Sequence, residues 1–179
     1  YPNFAPMKFI DTHSHLYSSQ FDKDRTKIVE DALNVGIDKI LLPNISSDYT
    51  KGMNDLCDEF PDNCFAMMGL HPCDVKTESY ERELQHVEQE LEKGKYIGVG
   101  EIGLDLYWDK STLELQKKAF ICQIKLAKKL QLPVAIHVRN SFLEAIEIIE
   151  KLNDKDLSGV FHCFTGNIED AQRVINLGD

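Results

Sequence analysis

The chain has 179 residues, with 20 Lys and Arg against 30 Asp and Glu, a formal net charge of −10, and 42% hydrophobic residues. That profile fits one ordinary soluble domain with enough chain for a sizeable core. No apolar run approaches the ~20 residues of a membrane span, and no charged segment followed by an apolar stretch marks a secretory signal. The acidic balance also argues against a protein held on nucleic acid by general positive charge. It leaves room for a nuclease whose positive charge comes from metal ions.

Residues 1–6 contain two prolines and no periodicity ahead of Met7. They read as a disordered leader or expression remnant, with Met7 the expected natural start. From there, short apolar runs at 8–13, 39–43, 64–70, 95–102, 133–138 and 159–164 read as strands buried on both faces. Segments at helical spacing lie between them. Ile28, Ala32 and Val35 form one stripe, and Leu84, Val87 and Leu91 another. A longer helix carries Leu113, Ala119, Ile121, Ile124, Leu126 and Leu130, and the next carries Phe142, Ala145, Ile146 and Ile149. The last runs over 168–177, with Asn167 as N-cap and Gly178 as its stop.

This alternation predicts an α/β fold with a parallel sheet and right-handed crossovers. The spacing suits a (β/α)8 TIM barrel of which about six units are written, the barrel spanning 7–179 and breaking off before a seventh strand. Such a piece is expected to expose its first and sixth strands as edges, and to be unstable or to associate.

The five cysteines (57, 64, 73, 122 and 163) form an odd set without a C-x-x-C pair. This usage predicts free thiols in a reducing cytoplasm. Cys163 is expected to be a small buried strand residue rather than a nucleophile.

The polar residues gather at strand ends. The first strand closes as Asp11-Thr12-His13-Ser14-His15, where alternation directs both imidazoles to one side. The fourth carries Gly100-Glu101-Ile102-Gly103-Leu104-Asp105, the fifth Ile136-His137-Val138-Arg139, and the sixth His162-Cys163-Phe164-Thr165-Gly166. Of six histidines, four sit at these ends, and His71 follows the third strand in Gly69-Leu70-His71-Pro72. Only His86 falls on a helix, where a solvated surface position is expected.

Polar groups on apolar strands are costly to bury unless partnered, and imidazoles with a carboxylate around a divalent ion answer that cost. One carboxylate among four such histidines suggests two ions. Glu101 would bridge, with His13 and His15 on one ion and His137 and His162 on the other. No Ser elbow or phosphate loop competes, and the Gly98-Val99-Gly100-Glu101-Ile102-Gly103 match to a dinucleotide fingerprint opens no helix.

These motifs resemble, in order and over 7–179, the TatD family of metal-dependent deoxyribonucleases among the amidohydrolase-like TIM-barrel hydrolases. The resemblance implies hydrolysis of DNA phosphodiester bonds by a metal-activated water. It also implies two divalent ions (Zn, Mn or Mg), a DNA or oligonucleotide substrate, and neither a membrane nor an obligate protein partner. Position by position, it makes His13, His15, Glu101, His137 and His162 metal ligands. His71 and Arg139 would lie near the scissile phosphate, and Asp105 would brace the site. Tyr17 and Leu106 replace an expected Asp and an expected aromatic, Asn140 stands where an acid is common, and a further ligating Asp of the eighth strand is expected beyond Asp179. Two other readings use the same residues. One is a small-molecule amidohydrolase or lactonase, although Glu101 stands where a carboxylated Lys is more usual. The other is an incomplete fragment that only binds metal. Phosphatases of the PHP type share the His-x-His opening but not the Gly-Glu-Ile-Gly-Leu-Asp context.

Overall fold

The structure, a computed structural model, describes residues 7–178, so the proposed leader at 1–6 lies outside the described residues. Strands and helices alternate: β1 (Phe9–Asp11), α1 (Arg25–Asn34), β2 (Ile37–Pro43), α2 (Ser47–Glu59), β3 (Cys64–Met67), α3 (Tyr80–Leu91), β4 (Val99–Asp105), α4 (Leu113–Leu130), β5 (Val134–Arg139), α5 (Phe142–Leu152), β6 (Gly159–Phe161) and α6 (Ile168–Ile175).

Every strand pairing is parallel, as the alternation predicts. The strands form two three-stranded sheets, β1-β2-β3 and β4-β5-β6. The expected barrel is therefore not closed among the described residues. A bridge between Met68 and Val99 joins the sheets, with Gly100 N–H donating to the Met68 carbonyl at 3.0 Å. β1 and β6 form the two outer edges and are mostly exposed, Ile10 and Val160 by more than half. No helix among the described residues is long and apolar enough to cross a membrane.

β4 is the centre of the fold, and all seven of its residues are buried. α4 packs on it through Ala119, Phe120, Ile124 and Ala127. The glycines of the Gly-Glu-Ile-Gly-Leu-Asp motif have a packing reason. A Cβ on Gly100 would lie 2.7 Å from the Ala135 Cβ, and one on Gly103, at φ +141°, would overlap the His137 carbonyl oxygen. Only hydrogen side chains let β4 approach β5 so closely.

α2 has no counterpart among the predicted helices. It buries only Thr50, Met53 and Leu56 and carries Gly52 in its middle, so its apolar stripe is too thin to read by periodicity. Asn167 does cap α6, in a reciprocal capping box with Asp170, but the helix ends at Ile175, ahead of Gly178.

Candidate metal centre

Glu101 projects from the middle of β4 and is 3% exposed. Its backbone is held by Asn44, the residue after β2. Asn44 N–H donates to the Gly100 carbonyl at 2.9 Å, and Glu101 N–H donates to the Asn44 carbonyl at 3.0 Å. Asn44 is itself fully buried, with its side-chain amide donating to the carbonyls of Ser46 and Gly69. Nothing in the sequence pattern marks it, because a polar residue after a strand reads as an ordinary turn.

Two histidines meet Glu101 from the β1 side. His13 Nε2 is 3.1 Å from Glu101 Oε2, His15 Nε2 is 3.4 Å from the same oxygen, and the two Nε2 atoms are 3.2 Å apart. The physical route differs from the expected strand alternation. β1 stops at Asp11, and both histidines lie in the turn after it. That turn is pinned by Asp11, whose carboxylate accepts from His13 N–H at 3.1 Å, and by Ser14 N–H donating to the Leu41 carbonyl at 3.0 Å.

The hydrogens on His15 can be placed. The Tyr17 hydroxyl donates to the Pro43 carbonyl, so the phenol oxygen is left to accept from His15 Nδ1–H at 2.6 Å. In neutral His15 this leaves Nε2 as a bare lone pair facing Glu101. Tyr17, which stands where the resemblance leads to an expected Asp, thus performs the orienting task of a carboxylate. Burial, with Glu101 and Tyr49 nearby, pushes its phenol pKa far up, so it stays a donor.

From the other side, His137 at the end of β5 lies between two carboxylates. Its Nε2 is 2.9 Å from Asp105 Oδ2 and its Nδ1 is 3.0 Å from Glu101 Oε1. Burial alone would lower its pKa, but the hydrogen bonds to Glu101 and Asp105 outweigh this and raise it. Asp105 is fixed in turn by the backbone N–H groups of Tyr107 and Trp108, at 2.9 and 3.3 Å. Asp105 thereby steadies the outer nitrogen of His137. A carboxylate that orients a histidine through its outer nitrogen is a recurrent support for metal sites.

His71 approaches to 3.9 Å between Nε2 and Glu101 Oε2. Its Nδ1 accepts from Cys73 N–H at 3.2 Å, so its Nε2 carries the hydrogen that faces the centre. Burial, with His137 and His15 nearby, lowers its pKa to about 4 against the pull of Glu101 and Asp105. His71 is therefore neutral at physiological pH.

Burial would raise the pKa of Glu101, yet the close ring nitrogens of His13, His137 and His15 hold it well below the usual carboxylate range. The outcome is an ionised carboxylate among imidazoles, and the neutral forms of His15 and His137, held on the far side by Tyr17 and Asp105, turn lone pairs toward it. Among the described residues only histidines, and no Lys or Arg, pair with this carboxylate, and the set fits a divalent ion. Two groups of ligand atoms lie within 4.8 Å of one another, His13-His15-Glu101 and His71-Glu101-His137, and Glu101 belongs to both.

The structure does not bring His162 into either group. Its ring stacks on His13 with centroids 3.4 Å apart. β6 ends at Phe161, so His162 starts the following turn, where Cys163 takes a φ of +47°. Cys163 is exposed rather than buried, because the strand stops before it. All five cysteines are free thiols, as expected. His86 is not a solvated surface residue either. It is half-buried, with Nε2 2.9 Å from Thr50 Oγ1.

Arg139 ends β5 and stacks its guanidinium 3.7 Å from the Tyr107 ring centroid. Beside it, Asn140, Phe142, Phe161, His162 and Phe164 line a cleft of about 570 Å³. Sequence reading also missed two glutamines two turns apart on α4. Gln116 accepts from Asp105 N–H and donates to its carbonyl, at 2.8 and 3.0 Å. Gln123 does the same for Leu70, at 2.7 and 3.2 Å. Polar residues at i and i+7 on an otherwise apolar helix face are the one signal that marks them.

Parallel strands flanked by helices, with a buried carboxylate and converging imidazoles at the C-terminal side of the sheets, define an α/β protein with residues that could hold a metal ion. Residues 10–178 match the family described as TatD related DNase, and the chain belongs to that family. It is 31% identical over 167 residues to an uncharacterized metal-dependent hydrolase, YabD, of Bacillus subtilis, covering 93% of this chain and 65% of that protein. It is 32% identical over 172 residues to a 3'-5' ssDNA/RNA exonuclease TatD of a Rahnella species, covering 92% and 62%. The crystal structure of the TatD homolog YjjV of Escherichia coli superposes with a TM-score of 0.86 at 32% identity, covering 95% of this chain and 65% of that one. The chain thus spans somewhat less than two thirds of the length of these relatives. A TatD-family hydrolase of Entamoeba histolytica shares the fold, with a TM-score of 0.82 at 22% identity.

Proposed function

We propose that the chain carries the centre of a metal-dependent nuclease that hydrolyses phosphodiester bonds in DNA, with single-stranded DNA or RNA as the substrate class. The observation that carries this reading is the position of Glu101, with Oε2 facing His13 and His15 and Oε1 facing His137. The likeness to the Rahnella exonuclease supports it. Two divalent ions held there would activate water near neutral pH and neutralise charge on the phosphate oxygens. Imidazole with carboxylate suits zinc or manganese better than magnesium.

His13 and His15 would hold one ion with Glu101, and His137 the other with Glu101. His15 and His137 each present a lone pair from a tautomer fixed on the far side of the ring, by Tyr17 and by Asp105. His162 joins this set only after unstacking from His13. His71 has the opposite polarity, and its Nε2–H is placed to donate to a phosphate oxygen. Arg139 adds a fixed positive charge at the mouth, where the net charge of −10 otherwise repels phosphate. The two parallel sheets are read as an arc of a (β/α)8 barrel, on the strength of the likeness to YjjV. The five free thiols support a cytoplasmic setting.

The test is degradation of a single-stranded oligonucleotide by the purified protein with Mn, Zn or Mg. Hydrolysis should vanish with chelator and in Glu101→Ala. Full activity of Glu101→Ala would remove the site assignment, and turnover of lactones or amides without oligonucleotide cleavage would move the protein to small-molecule chemistry.

A further inference from the structure

The only tryptophan of the chain, Trp108, is 71% exposed, and the adjacent Tyr107 is 52% exposed. Large aromatic rings left in water beside a buried polar centre cost apolar hydration and call for a ligand with an apolar face. These rings are not loose. They meet edge to face with centroids 4.8 Å apart. The Arg139 guanidinium covers Tyr107 at 3.7 Å and lies 5.6 Å from the Trp108 centroid.

Their backbone is tied to the centre through a single side chain. Asp105 accepts from Tyr107 N–H and Trp108 N–H through one oxygen and faces His137 Nε2 at 2.9 Å through the other. The next turn is also pinned, with Asp109 accepting from the Ser111 N–H and hydroxyl at 2.7 Å each. The platform is therefore held in fixed register with Glu101, since His137 spans Asp105 and Glu101.

We infer that Trp108, buttressed by Tyr107 and Arg139, is a stacking platform for one unpaired nucleobase of the strand whose phosphate enters the Glu101 centre. This rests on the nucleic-acid reading above and adds a binding subsite to it. A flat π-face accepts any base, and a guanidinium at its edge suits the neighbouring phosphate. Bases inside a duplex keep both faces covered, so the platform selects single strands or frayed ends. Residue order alone does not reveal it, because aromatics after a strand read equally well as core.

Since Trp108 is the sole tryptophan, its fluorescence reports the contact directly. With metal chelated to prevent cleavage, a short oligothymidine should quench that emission. An abasic strand of equal length and charge should bind at least about tenfold more weakly, the scale of losing one stacked base. Trp108→Ala, followed by fluorescence anisotropy of a labelled strand, should lose the difference between the two strands while metal affinity by calorimetry is unchanged. Trp108→Phe should keep most of it. Equal affinity for both strands, or unchanged base preference in Trp108→Ala, overturns the platform even where hydrolysis persists. If neither strand binds and none is hydrolysed, the nucleic-acid reading falls, and the platform with it.

Discussion

Two regions of this molecule bury carboxylates, and they do so by opposite means. At the seam between α2 and α3, Glu83 accepts from the Ser47 N–H and hydroxyl, at 2.8 and 2.7 Å, and so caps α2 from a neighbouring helix. Nearby, Glu90 accepts from Lys93 and from the Tyr96 hydroxyl. Each of those donors has a hydrogen fixed by its chemistry. At Glu101 the partners are imidazoles, whose nitrogens offer a hydrogen or a lone pair according to tautomer. The difference teaches that burial of a charge does not mark a site. What marks it is a partner set that is short of positive charge and long on lone pairs.

The largest effect should separate the two regions cleanly. Glu101→Gln keeps the shape but removes the shared charge, and should lower hydrolysis by about 10³-fold or more, or roughly 4 kcal/mol of transition-state stabilisation. Glu83→Gln should leave turnover untouched and instead cost stability, by about 1–3 kcal/mol in denaturant unfolding. Equal loss of activity in both would erase the distinction. Chelation probes the same contrast without mutation. At an ion concentration about a hundredfold above Kd, binding stabilises by about 2.7 kcal/mol, so chelator should lower the melting temperature by several degrees. Glu101→Gln should lose that shift, whereas Glu83→Gln should keep it.

Effects one layer out should be smaller. Tyr17→Phe removes the acceptor that holds the Nδ1 hydrogen of His15, and Asp105→Asn weakens the partner of His137. Each should reduce metal affinity by about 10–100-fold in calorimetric titration. An unchanged affinity in Tyr17→Phe would show that the turn after β1 fixes His15 by itself. Gln116→Ala strands the buried N–H and carbonyl of Asp105, and should cost about 1–3 kcal/mol of stability.

The same contrast governs how much of the molecule is legible in its residue order. The α/β alternation is legible because each run falls on one hydrophobic period, and α2 is not because Gly52 and a three-residue stripe dilute that period. Glu101, His13, His15 and His137 are legible because a charge or an imidazole inside apolar sequence is too costly to bury without a dedicated partner. Their pairing is less so. His71, expected only near the phosphate, shares a ligand group with Glu101 and His137, while His162 stacks on His13. Which nitrogen faces which partner depends on turns after β1 and β6 that have no periodicity. Asn44, Gln116 and Gln123 act through backbone groups distant in sequence, and single-residue chemistry carries no trace of such partners.

The smallest effect belongs to the seam, and it has a sign. Burial pushes Glu90 up, but hydrogen bonds from Lys93 and Tyr96 bring its pKa below the ordinary carboxylate value. A carboxyl with a depressed folded-state pKa binds fewer protons folded than unfolded. Its contribution is therefore complete above the ordinary glutamate pKa of about 4.3, and drains away as pH falls through the folded value. Tyr96→Phe deletes one of the two donors. It should cost about 0.5–1.5 kcal/mol at pH 7, the net range for one hydrogen bond whose acceptor keeps Lys93 as a partner. The gap between parent and variant in urea unfolding should then narrow steadily below about pH 4. Comparing the two proteins at each pH cancels every other titration they share. A gap that stays constant from pH 7 into that acid range would mean that the Tyr96 hydroxyl donates to Asn54 Oδ1, 3.3 Å away, and that the seam's carboxylate is answered by Lys93 alone.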